Sequence, residues 1–254
     1  MDEVEIIYEE HPVLKDPVFV EGLPGVGNVG KLAAEHLVEE IKAKRFAVVF
    51  SRYFPPQVLV TDDGTIKLVR NELYYWRREG GDGPDLVVLT GDYQGLTPEG
   101  QYVLAGRMID VCVELGVRRI YTLGGFGVGR MVEDPRVLGA VTKAELLPEM
   151  RAKGVTFSKG EPGSGIVGAS GLLLGLGDIK GIPAVCLMGE TSGYFIDPSA
   201  ARKLVVILSG LLGIKVDLAK LEERADQIER ITSKLKDIEK MEKDNQYEDL
   251  TYIG

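Results

Sequence analysis

The sequence predicts a single three-layer α/β domain on a mixed, largely parallel sheet, followed by an amphipathic helix and a tail. Two observations predict the layered domain. Short apolar runs alternate with segments of helical length, and Leu86-Val87-Val88-Leu89 and Val185-Cys186-Leu187-Met188 are apolar at every position, as in strands covered on both faces. A third observation makes the sheet mixed: Gln57-Val58-Leu59-Val60 and Ile66-Lys67-Leu68-Val69 alternate and flank Asp62-Asp63-Gly64, a hairpin signal.

Taken in chain order, the buried-strand candidates are Pro17 to Glu21, Phe46 to Phe50, Asp85 to Thr90, Arg119 to Leu123 and Ala184 to Met188. Helices are predicted over Val29 to Ile41, Pro98 to Leu115 and Ser199 to Leu212, with a small-residue helix from Ile166 to Leu176. From Leu218 the apolar residues Leu218, Leu221, Ile228, Ile231, Leu235 and Ile238 recur at helical spacing among charges, one stripe of a long helix. The organisation is therefore a core over 1–215, a helix over 216–244 and a flexible tail over 245–254. Six large apolar residues left wet would form an adhesive patch, so the stripe is expected to support self-association or to pack on the core.

A chain of 254 residues, 44% of them hydrophobic, is long enough to bury a substantial core. The net charge of -9 and pI near 5.0 argue against nucleic acid and anionic membrane as partners. Cys112 and Cys186 sit in apolar runs without metal-ligand spacing, and His11 and His36 are the only histidines, so no metal, cofactor or catalytic triad is expected. The opening residues lack a secretory pattern, and no run reaches the roughly 18 apolar residues of a membrane span, so a cytoplasmic location is expected.

Glu21-Gly22-Leu23-Pro24-Gly25-Val26-Gly27-Asn28-Val29-Gly30 lies between a strand and a helix, and Gly25, Gly27 and Gly30 have the spacing of a pyrophosphate-binding turn. A dinucleotide fold places an acid about 20 residues onward, where Phe50-Ser51-Arg52-Tyr53 stands instead. Leu32 occupies the place of the magnesium-binding hydroxyl after Lys31. Two more glycine turns, Gly124 to Gly129 and Gly189 to Gly193, also follow strands. Gly25, Gly27, Asp92, Gly125 and Glu190 thus outline a candidate ligand rim, open to two readings: a binding site, or close packing of helices and subunits.

Four blocks in order, Glu21 to Gly30, Leu89-Thr90-Gly91-Asp92-Tyr93-Gln94, Leu123-Gly124-Gly125-Phe126-Gly127 and Gly168-Ala169-Ser170-Gly171-Leu172-Leu173, resemble the archaeal branch of the proteasome assembly chaperone family. The resemblance spans Pro17 to Gly213. It implies a single α/β domain related in shape to nucleoside phosphorylases, oligomerisation, no catalytic constellation, and binding to proteasome rings or subunits. Docking on the ring in such proteins uses a C-terminal hydrophobic residue, then tyrosine, then any final residue. Here the chain ends Leu250-Thr251-Tyr252-Ile253-Gly254, with the tyrosine third from the end.

The function expected is a noncatalytic assembly-chaperone-like or adaptor protein, a homo-oligomer that binds proteasome subunits or a related assembly factor through Leu250, Tyr252, Ile253 and Gly254. The alternative is a nucleotide-binding protein or enzyme that uses the glycine rim.

Overall fold

The computed structural model describes residues 2–80, 82–157, 160 and 165–227. Fully apolar runs form the centre of the sheet. β2 (Val18–Glu21), β7 (Leu86–Gly91) and β10 (Ala184–Thr191) are buried at every position, and β8 (Arg119–Gly127) lies between β2 and β10. Around them stand β1 (Val4–Tyr8), β3 (Lys44–Ser51), β6 (Asn71–Trp76) and β9 (Val137–Val141), in the order β1-β3-β6-β7-β2-β8-β10-β9.

The pairs β7–β2, β2–β8 and β8–β10 are parallel, whereas β1–β3, β3–β6, β6–β7 and β9–β10 are antiparallel. The sheet is therefore mixed, and the expectation of a largely parallel one is corrected. The antiparallel pairs come chiefly from β1 and β6, whose burial alternates along the strand and so lacks the signature of a strand buried on both faces, and from the edge strand β9. The hairpin of β4 (Val58–Val60) and β5 (Ile66–Leu68) forms a separate two-stranded ribbon.

Helices cover both faces. α2 (Pro98–Glu114) and α4 (Gly168–Ile179) pack on Phe19, Val87 and Ile120, while α1 (Val29–Glu40), α5 (Pro198–Leu212) and the short α3 (Leu147–Ala152) pack on Val20, Val88 and Tyr121. This is the three-layer arrangement, because successive residues of one strand feed opposite cores.

Local chemistry sets the helix ends. Thr97 accepts from Gly100 N at 3.0 Å and Asp197 from Ala200 N at 2.9 Å, each followed by a proline in the first helical turn. α5 stops at Gly213, which is left-handed with φ 63°, and Arg78 donates to the terminal carbonyls of Leu212 and Gly213 at 2.7 and 3.1 Å. Beyond it the chain is helical again over 219–227. Leu221 is fully buried and Leu218 partly so, both against the α1/α5 core, a burial worth about 1.5–3 kcal/mol for a side chain such as Leu221. His36 Nε2 lies 2.6 Å from Asp217 O, Lys220 pairs with Glu39, and Arg202 meets Glu222 at 3.7 Å. The first two residues of the predicted stripe thus pack on their own domain, whereas Ile228, Ile231, Leu235 and Ile238 lie outside the described residues.

Candidate functional site

The three glycine turns meet where the parallel strands end, and backbone fills the space between them. A Cβ on Gly30 would stand 2.1 Å from Leu123 O, one on Gly125 would stand 2.2 Å from Val26 O, and one on Gly22 would stand 2.3 Å from Gly30 O. α1 can therefore approach β8 only through glycine. Gly27 has φ 61°, its neighbour Asn28 has φ 51°, and Gly27 O accepts from Asp197 N at 2.9 Å, which ties the first turn to the start of α5. The spacing that resembles a pyrophosphate loop serves helix-sheet closure here.

The two carboxylates of the predicted rim are apart from each other. Asp92 follows β7, accepts from Arg70 N at 3.1 Å and pairs with Lys67 at 3.3 Å. It lines a polar cavity of about 250 Å³ with Thr90, Glu72, Tyr74 and Glu39. Glu190 belongs to β10, three strand positions away, or roughly 14 Å at the usual spacing. Arg136 donates to it through both its backbone N–H at 3.1 Å and its Nε at 3.0 Å. The Arg136 guanidinium holds the Glu190 carboxyl below the usual carboxylate range. The structure thus packs Gly27 and Gly125 into the closed turns, leaves Gly25 with only Gln94 nearby, and places Asp92 and Glu190 in two separate ionic networks, Glu190 in register with Phe126 beside Gly125. Among the described residues no His/Cys/Asp/Glu group is placed to hold a metal ion, and no helix is long and apolar enough to cross a membrane. Cys112 and Cys186 are free and buried, and burial pushes the Cys186 thiol up to about 12.

Two apolar surfaces escape the sequence patterns. Just after Gly193, whose Cβ position lies 3.5 Å from the Val26 side chain, Tyr194, Phe195 and Ile196 are about half exposed or more. On the ribbon, Val58, Val60, Ile66 and Leu68 share the outward face, with Val60 73% and Ile66 69% exposed, while Leu59 turns inward to the core. Alternation marked that hairpin correctly, but it carries no sign of which face is inside. Three adjacent apolar residues, Tyr194-Phe195-Ile196, directly after a glycine turn were the available signal for the first surface. Leu250, Tyr252, Ile253 and Gly254, the predicted protein-binding residues, lie outside the described residues.

Comparison with known proteins places this geometry among relatives of nearly full length. A model of the PAC2 family matches residues 19–236. An uncharacterized protein of Methanocaldococcus jannaschii is 43% identical over 247 residues, covering 95% of this chain and 93% of its own. The crystal structure of Pyrococcus furiosus PbaB, an archaeal proteasome activator, superposes with a TM-score of 0.89 at 41% identity, covering 93% of this chain and 100% of that one. That of Pyrococcus furiosus PbaA, an archaeal homolog of proteasome-assembly chaperone, gives 0.76 at 27% identity, with 99% and 98% covered. These relatives lend no support to a likeness with nucleoside phosphorylases.

Proposed function

This chain belongs to the PAC2 family, and from that premise we propose that it is a noncatalytic proteasome-assembly-chaperone-like adaptor. It acts in the cytoplasm as a homo-oligomer and offers its C-terminal segment to a proteasome subunit or a related assembly factor. The observation that carries this reading is the full-length likeness to PbaB, a proteasome activator. The packed glycine turns support it too, because backbone occupies the crevice that a nucleotide-binding protein would leave open.

The physical logic runs through the chain's end. Helix 219–227 is fixed to α1 and α5 by Leu221, Lys220 and Glu222. To the remaining apolar residues of the stripe, Ile228, Ile231, Leu235 and Ile238, we assign the joining of copies, and to Leu250, Tyr252 and Ile253, apolar residues in a polar stretch of sequence, the role of anchors. Several tails on one oligomer turn a weak contact into useful avidity. Co-purification from native cytosol, repeated with residues 245–254 removed, tests it. The full chain brings down proteasome components and the truncated chain does not; an unchanged partner list after truncation contradicts the tail's role.

A further inference from the structure

The glycine contacts that close the space over β2 and β8 do not extend along the whole of α1. Its first turn is pressed on β8 through Gly30, whereas farther along Glu35 and Glu39 form one wall of a cavity of about 250 Å³. Thr90 of β7 and Glu72 of β6 belong to its floor, and Lys67 of β5, with Arg70 and Asp92, stands on the far side. Thr90 lies two positions beyond Val88, which packs in the α1 core, so its side chain points to the same layer. It is only 5% exposed, and its hydroxyl has no hydrogen-bond partner. A hydroxyl taken out of water without a partner is costly, and this one lines a cavity from which a ligand atom could reach it.

The two ends of the cavity differ in sign. At the inner end Arg45 and Arg70 pair with Glu72 at 2.9 and 2.7 Å, and Lys67 pairs with Asp92 at 3.3 Å, so three cations stand against two carboxylates. Donors are left over there. Arg70 reaches Glu72 through Nε and Nη2, which leaves Nη1, and among the described residues the Lys67 ammonium has Asp92 alone. At the outer end Glu35 and Glu39, both about half exposed, are held by Lys31 at 3.5 Å and by Lys220. Exposed pairs of this kind contribute little and give up a partner readily.

We propose that this cavity binds a small zwitterion of the α-amino-acid type, its carboxylate on Thr90 Oγ1, Lys67 Nζ and Arg70 Nη1 and its ammonium toward Glu35 and Glu39. A bare anion would meet the two outer carboxylates, and a bare cation would meet the surplus of cations inside; a molecule that bears both charges suits both ends. The volume agrees, since about 250 Å³ lies just under the roughly 300–1,000 Å³ of sites for drug-sized ligands. Such a ligand fastens three elements to one another: the ribbon through Lys67, the sheet through Thr90 and α1 through its glutamates. The site is separate from the packed glycine turns and from the chain's end, so it goes beyond the adaptor reading and does not rest on it.

The test is saturation-transfer NMR of the full chain with each of the twenty free L-amino acids at about 1 mM, followed by calorimetry of those that bind. At least one is expected to bind saturably, and its N-acetyl derivative and its amide, which each lack one charge, at least about tenfold more weakly. Thr90→Val and Lys67→Met are each expected to weaken binding by at least about tenfold. Without ligand, Thr90→Val should unfold at the same temperature as the unaltered chain or above it, because it deletes an unpaired buried hydroxyl, and this separates a binding role from a structural one. Failure of all twenty to bind the unaltered chain overturns the proposal without reference to any variant. So does affinity that either variant leaves unchanged, a derivative that binds as tightly as its parent, or inorganic phosphate that binds more tightly than any amino acid.

Discussion

The turn over residues 22–30 and the ribbon over 58–68 are both short, glycine-bearing and rich in valine and leucine, yet one is sealed and the other is open. In the first, Gly22 and Gly30 press backbone on backbone with Gly125 of β8, and added Cβ atoms at these three would stand within 2.3 Å of main-chain oxygens. In the second, Gly64 has nothing within 4 Å of its Cβ position, and four branched aliphatic residues face outward. Glycine in the first region is a packing element; in the second it is only a turn element. The apolar residues follow the same division: Val29, one position before Gly30, is fully buried, whereas Val60 is mostly exposed.

The largest effect that sharpens this contrast is expected from Gly30→Ala. Its Cβ cannot fit against Leu123 O unless α1 moves off the sheet, so unfolding by denaturant should show a loss of about 3 kcal/mol or more. A loss below 1 kcal/mol would show that the α1–β8 contact is soft. Gly64→Ala meets no neighbour and is opposed only by its φ of 82°, so the same measurement should give about 1–2 kcal/mol. Val60→Ser with Ile66→Thr should change monomer stability by no more than about 0.5 kcal/mol, because both side chains are already wet. A larger loss would mean that the ribbon's outward face is covered in solution.

The smallest effect concerns the ribbon's turn. Asp63 accepts hydrogen bonds from the Thr61 hydroxyl and from both the backbone and hydroxyl of Thr65, which hold its carboxyl down to about 2. A depressed value stabilises the turn above the ordinary carboxylate range and releases it as pH falls through about 2. Amide shifts of Thr61 and Thr65 should therefore move together on acidification, and Asp63→Asn should abolish the transition. Shifts that move near pH 4 would contradict this assignment.

The same contrast explains what was legible in the sequence. β7 and β10 are apolar along most of their length because both faces are covered, so their runs announced the parallel centre. β6, Asn71-Glu72-Leu73-Tyr74-Tyr75-Trp76, alternates between a buried face and one carrying Glu72 in an ionic network with Arg45 and Arg70, a pattern that short-range composition does not separate from a loop. The rim illustrates a different limit. Glycine spacing records that backbones come close, but ligand and helix both satisfy that requirement, and only the distance from Gly30 to Leu123 O decides between them. Asp92 and Glu190 looked like neighbours because both follow or end strands, whereas the strand order, which no local pattern encodes, sets β7 and β10 apart. Glu21 was visible as a residue of the first block, but its burial depends on Ser170 and on neighbouring strands far along the chain.

The account's central claim is that a sealed, noncatalytic domain serves to present a protein-binding tail. Titrating the purified full-length chain and its Tyr252→Ala variant onto purified archaeal proteasome, followed by sedimentation, tests it most directly. The account predicts saturable binding by the full chain, weakened by about 1–4 kcal/mol in the variant while its thermal unfolding is unchanged. Equal binding by the two proteins, or no binding by the full chain, would contradict it.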